Sequence, residues 1–127
     1  MTIKQIATAR APAAIGPYSQ AIQAGNTLYC SGQIPLVPET GEIVSGGVAE
    51  QTAQVMENMS QLLDAAGFSL AMVVKTTIYL QDLGHFAIVN DIYGRYFPGT
   101  APARATVQVA ALPKGALVEI DAVACKI

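Results

Sequence analysis

The chemistry this chain can support centres on Arg104, with Glu119 and the hydroxyls of Ser31 and Thr106 as possible companions. A guanidinium grips a carboxylate through two parallel hydrogen bonds. Each charge-assisted bond contributes about 1.5–3 kcal/mol. A carboxylate such as Glu119 can orient or deprotonate a water. Such a set suits a reaction of low intrinsic barrier, in which positioning supplies most of the help. Hydrolysis of an imine fits, because water adds to C=N and ammonia leaves. Hydrolysis of a peptide or phosphate bond with these groups alone is harder to justify.

Other chemistries are short of residues. His85 is the only histidine, too few for a histidine-based metal cluster. In the first turn of a helix it reads as a surface residue, and any Ser-His-Asp arrangement would have to use it. The chain has no P-loop and no Gly-x-Gly-x-x-Gly run. Cys30 and Cys125 form no metal or redox spacing, and both sit in apolar runs, which reads as buried free thiols in a reducing compartment. A net charge of −2 gives no electrostatic case for nucleic acid or an anionic membrane. No run approaches the roughly 18 apolar residues of a membrane span. The N-terminus lacks a signal peptide's charged start and apolar block, so a cytoplasmic location is expected.

The elements that must position these groups follow from periodicity. Ala21–Ala24 and Thr27–Gly32 flank Gly25-Asn26, a hairpin turn signal. Residues 35–47, with two prolines and three glycines, read as a loop. Val48, Val55, Met56, Met59, Leu62, Leu63 and Ala66 recur at helical spacing, with Gly67 suited to the C-terminal cap. Met56 and Met59 read as core rather than cofactor contacts. Val73–Leu80 is strand-like. Asp82 suits the cap of a second helix with a Phe86, Val89, Ile92 or Tyr93, and Tyr96 stripe, stopped by Pro98. Arg104–Ala110 and Ala116–Cys125 read as strands joined by a turn at residues 112–115, and Ile3–Ala7 as a weaker first strand. This order predicts an α+β fold, a mixed six-stranded sheet with both helices on one face, in a single domain over residues 1–127.

Strand alternation assigns faces. Val118, Ile120, Ala122 and Ala124 should take the helices, with Glu119 and Asp121 opposite. Leu28 and Cys30 oppose Tyr29 and Ser31, and Val74, Ile78 and Leu80 oppose Lys75, Thr77 and Tyr79. In the strand holding Arg104, the apolar Ala105, Val107 and Val109 should face the helices, which sends Arg104, Thr106 and Gln108 to the second face. That mixed face reads equally as a solvated surface or a subunit interface. The chain is 52% hydrophobic and 13% charged, and a small domain with so little charge usually hides area in an oligomer.

Several runs resemble the RidA (YjgF-like) family of reactive-intermediate deaminases. They are Ile15-Gly16-Pro17-Tyr18-Ser19-Gln20-Ala21, Ser31-Gly32-Gln33-Ile34-Pro35, Val74-Lys75-Thr76-Thr77, Val89-Asn90, Pro102-Ala103-Arg104, and residues 109–120. They occur in order over nearly the whole chain. The resemblance implies a chorismate-mutase-like fold and a homotrimer with active sites in the clefts between subunits. It implies hydrolysis of small 2-enamine/2-imine acids, such as 2-aminoacrylate/2-iminopropanoate and 2-iminobutanoate, to 2-keto acids and ammonia, which protects other enzymes from reactive metabolites, with no cofactor. By position, Arg104 would bind the substrate carboxylate and Glu119 would position or activate the water. Tyr18 would close the pocket and bond that water. Ser31 and the Gly32 backbone would line the pocket, Asn90 would support it, and Thr106 stands where many members have Cys. Glu119 has a second use open to it, as an ion-pair partner of Arg104. A non-catalytic 2-keto-acid-binding or regulatory module is a second reading of the same cleft, and a ribonuclease or translation inhibitor a third.

Overall fold

The computed structural model describes residues 2–127. Its elements are β1 Ile3–Ile6, β2 Ala21–Ala24, β3 Thr27–Gln33, α1 Val48–Ala65, β4 Val73–Leu80, α2 Phe86–Gly94, β5 Ala103–Gln108 and β6 Val118–Cys125. The strands form one six-stranded sheet in the order β1-β2-β3-β6-β4-β5. Every pairing is antiparallel except β4 with β5. A parallel pair needs a long crossover, and α2 supplies it.

Both helices cover one face of the sheet. Val55, Met56, Met59, Leu62 and Leu63 of α1 are buried at spacings of three and four, which makes one apolar stripe. The Glu50 carboxylate accepts the Gly47 N–H at 2.8 Å and closes the first turn of α1. Gly67, at φ +80°, ends the helix in the left-handed conformation that favours glycine. Asp82 caps the short 3-10 turn Leu83–His85 that leads into α2, by accepting the Gly84 N–H. Val89 and Tyr93 of α2 pack with Val55 and Met56 of α1 and with Ile78, Leu80, Val118 and Ile120 of the sheet. Among the described residues no helix is long and apolar enough to cross a membrane. Cys30 and Cys125 are free thiols, and burial, followed by Asp121, pushes the Cys30 thiol up to about 12.

Three of the expected side-chain placements are overturned. A register shift between Val73 and Lys75 turns Val73 into the core and leaves Val74 half exposed, because a bulge inverts the alternation around it. In β5 the faces are the reverse of those expected. Arg104 pairs with Thr76, Thr106 with Ile78 and Gln108 with Leu80. Thr76, Ile78 and Leu80 are buried under the helices, so the polar residues of β5 take the helix side. Ala105 and Val107 take the bare face, where Val107 is 42% exposed. Finally, His85 is partly buried rather than on the surface, and its Nδ1 is buried without a hydrogen-bond partner.

Candidate active site

The predicted site residues fall into two groups on opposite faces of the sheet. Arg104 leads the first group, at the edge of the helix layer. Its Nη1 donates to Asn90 Oδ1 at 2.8 Å. Its guanidinium carbon lies 5.2 Å from the Tyr93 ring centroid and 5.6 Å from that of Phe86. Cation–π attraction to two rings holds the charge in place while leaving N–H donors free. The Tyr93 hydroxyl is in turn fixed by Thr76 at 2.7 Å. Among the described residues Arg104 makes no ion pair, the two present being Arg10–Asp64 and Arg95–Asp91. Thr106 is next along the same face, and its Oγ1 is buried without a partner. Beyond it, Gln108 Oε1 accepts the Leu83 N–H at 2.9 Å and fastens β5 to the turn before α2.

Glu119 leads the second group, on the bare face. Between Cys30 and Gln33 the β3–β6 register shifts by one residue, so Ser31 and Gly32 form a bulge. Glu119 lies against that bulge. A Cβ added to Gly32 would stand 2.2 Å from Glu119 Oε2, so only glycine admits the carboxylate in this position. Ser31 Oγ donates to Ser19 O at 2.6 Å and Ser31 N to Gln20 O at 2.9 Å. These bonds join the bulge to the loop that carries Tyr18. Tyr18 is half exposed, its hydroxyl accepts the Ile15 N–H at 3.4 Å, and it lines a narrow cleft with Ile15, Gly32 and Ile34. Burial, followed by the charge of Asp121, holds the Glu119 carboxyl above its ordinary value. Among the described residues Glu119 accepts no side-chain hydrogen bond and makes no ion pair.

Tyr18, Ser31, Gly32 and Glu119 therefore come together, as do Asn90, Arg104 and Thr106, but one chain does not bring the two groups together. The faces also rule out Glu119 as an ion-pair partner of Arg104 within a chain. Three supporting residues escaped the sequence reading. In sequence Phe86 and Tyr93 read only as part of the helix stripe, and the β4–β5 register shows that Arg104 stands over them. Gln20 is the third. Its amide accepts from Thr8 N at 2.7 Å and donates to Thr8 O at 3.0 Å and to Pro12 O at 2.8 Å, which fixes the base of the Tyr18 loop. A polar residue at the apolar start of β2 was the available signal. No group of three or more His, Cys, Asp and Glu suited to a metal occurs among the described residues.

A family described as endoribonuclease L-PSP matches residues 8–126. The 2-iminobutanoate/2-iminopropanoate deaminase of Homo sapiens is 56% identical over 119 residues, covering 94% of this chain and 87% of the relative. Among solved structures, a protein of the conserved Rid family from Yersinia pestis superposes with a TM-score of 0.95 at 50% identity, covering 98% of this chain and all of the other. TdcF from E. coli, solved with bound serine, gives a TM-score of 0.94 at 42% identity, covering 98% of this chain and 99% of the other.

Proposed function

Because the chain belongs to the RidA (YjgF-like) family, we propose that it is a hydrolytic deaminase of small 2-imino acids, with sites formed between copies of the chain. The observation that carries this reading is Arg104. Its guanidinium is anchored on its inner side by Asn90, Phe86 and Tyr93 and has no ion pair of its own among the described residues. That is a clamp suited to a carboxylate. The relatives named 2-iminobutanoate/2-iminopropanoate deaminase support the substrate class.

In the proposed reaction Arg104 holds the carboxylate of the 2-imino acid, and the buried hydroxyl of Thr106 lies along the same wall. Glu119, contributed by a neighbouring copy, takes a proton from a water as the water oxygen bonds to the imine carbon. That proton passes to the nitrogen to give a carbinolamine; its hydroxyl then gives up its proton, through Glu119, to the nitrogen as the C–N bond breaks, and a 2-keto acid and ammonia leave. Tyr18 closes the cleft and bonds the attacking water, while Ser31 and the Gly32 backbone line it. An enamine enters after tautomerising to the imine. The barrier is low, so alignment and one base suffice. A homotrimer with the bare sheet faces turned inward would cover Tyr29, Val74 and Val107, which stand 42–53% exposed in one chain, and would bring the Arg104 group of one copy to the Glu119 group of the next.

The serine bound in TdcF favours a second reading, a cleft that binds small amino or keto acids without turnover. One assay separates the two. A dehydratase generates 2-aminoacrylate, and semicarbazide traps the imine. The deaminase competes with trapping, and Arg104→Ala lowers kcat/KM by about 10²–10⁴, which is the loss of two charge-assisted bonds. Absence of competition by the parent protein, or equal competition by Arg104→Ala, rejects the deaminase.

A further inference from the structure

Asp121 lies two residues beyond Glu119 on β6 and therefore on the same bare face. No step above uses it, yet it is more tightly held than Glu119. Its Oδ2 accepts the Tyr79 hydroxyl at 2.9 Å and its Oδ1 accepts the Thr77 N–H at 3.2 Å. Tyr79 is the residue that β4 pairs directly with Glu119. Instead of bonding its own pairing partner, Tyr79 reaches along the face to Asp121. The hydroxyl stays protonated, because the bond to Asp121 is the largest cause pushing its pKa up. Two donors thus hold the Asp121 carboxylate in place, and Glu119 is left without a side-chain donor on the same face.

Within one chain the other groups on this face do not cancel that charge at Glu119, and on the deaminase reading the one opposing charge is the Arg104 of a neighbouring copy. Lys75, four positions before Tyr79 on β4, directs its ammonium to Thr76 O and Thr77 Oγ1, both at 3.4 Å. Tyr29 on β3 pairs with Val123. Gly32 brings no side chain, Tyr18 lies in a loop, and β5 presents Ala105 and Val107. The helices lie on the opposite face.

We propose that Asp121 is a positioning residue for the deaminase reaction, held by Tyr79 and Thr77 as a fixed negative charge on the same face of β6 as Glu119. The proposal rests on the deaminase reading only for its consequence in catalysis. The Asp121–Tyr79–Thr77 arrangement stands without it. A carboxylate beside a like charge holds a proton more firmly once it has taken one. That favours removal of a proton from water, the step in which Glu119 acts as the base.

The test is a carboxyl-carbon NMR titration of Glu119 in the full-length protein and in Asp121→Asn and Asp121→Glu, beside pH profiles of kcat/KM. Asp121→Asn keeps an acceptor for Thr77 N–H and removes the charge. Its Glu119 midpoint should move to lower pH, and the acid limb of kcat/KM should move with it. The plateau should fall by less than about tenfold, well short of the 10²–10⁴ expected from removing the base itself. Asp121→Glu should return the midpoint towards the parent value. An unchanged Glu119 midpoint in Asp121→Asn overturns the proposal. A midpoint that moves while the acid limb stays overturns the part of Asp121 in the reaction. A parent protein with no deaminase activity rejects the functional reading separately, because the titration still reports on the pair. If Asp121→Asn does not fold, Arg104→Ala, which lacks the opposing charge of the neighbouring copy, is titrated from low salt to about 1 M, where the screening length falls to about 3 Å. A repulsive pair then predicts a fall in the Glu119 midpoint, and a constant or rising midpoint overturns the proposal.

Discussion

On the helix-covered face of the sheet, Leu28, Ile78, Leu80, Val118 and Ile120 are at most 1% exposed, whereas on the bare face Tyr29, Val74 and Val107 stand at 53%, 50% and 42%. The first face is completed by the chain's own helices. The second mixes these apolar groups with Glu119, Asp121, Tyr79 and Lys75. On the proposed reading each face also carries half of the chemistry. The cation is at the rim of the covered face, stacked on two rings, and the carboxylate is on the bare face, seated on a glycine bulge. The difference shows how an active site can be divided so that a single chain holds a clamp or a base in place without joining them. On our reading, assembly joins them.

Substitutions on each face test this contrast. The largest effect on folding should come from Ile78→Ala, which empties a fully buried position and should cost about 2–5 kcal/mol in a denaturant titration. Val107→Asp on the bare face should leave the fold of each chain intact and shift sedimentation towards smaller species. If the two variants behaved alike, the faces would not differ in kind. Next in size is Gly32→Ala. The new methyl meets the flexible end of Glu119, so the carboxylate moves and the backbone does not. We expect kcat/KM to fall by about 10- to 100-fold, with a stability change within about 1 kcal/mol. A large loss of stability instead would make the glycine a backbone requirement.

The smallest effect is a pH dependence confined to the Glu119 half. The folded chain holds its carboxyl above the ordinary value of 4.5, so in the window from there up to the raised value the native state binds more protons than the unfolded state. By linkage, stability falls as pH rises through that window. Activity runs the other way, because the base must be ionised, and the acid limb of kcat/KM should lie above 4.5. Thermal melts and rate profiles over the same pH series check both signs.

Much of this was legible in the residues. The apolar alternation of Val118, Ile120, Ala122 and Ala124 assigned the faces of β6 correctly, because a strand buried under helices on one side has only one way to turn. The heptad-like spacing of α1 placed its core in the same manner. In β5 the same rule failed. Ala105 and Val107 are apolar, yet they lie on the bare face, and Arg104 and Thr106 lie at the helix edge. Alternation separates two faces but does not say which is inward, and on an edge strand of a sheet with two apolar faces the register to β4 decides. The bulges at Val73–Lys75 and at Ser31–Gly32 were also invisible, since one extra residue leaves no mark in composition. The motif residues named the candidates for the site, but their division between two faces came only from the register.

Mixing tests that division most directly. Arg104→Ala and Glu119→Gln should each be inactive alone, since each lacks one half of every site. Unfolded together and refolded at equal amounts, or co-expressed, they should form mixed assemblies in which about one site in four combines an intact Arg104 from one copy with an intact Glu119 from another. Recovery of about a quarter of the parental deaminase activity is the predicted result. A mixture as inactive as its components, in assemblies shown to contain both chains, would contradict a site shared between copies.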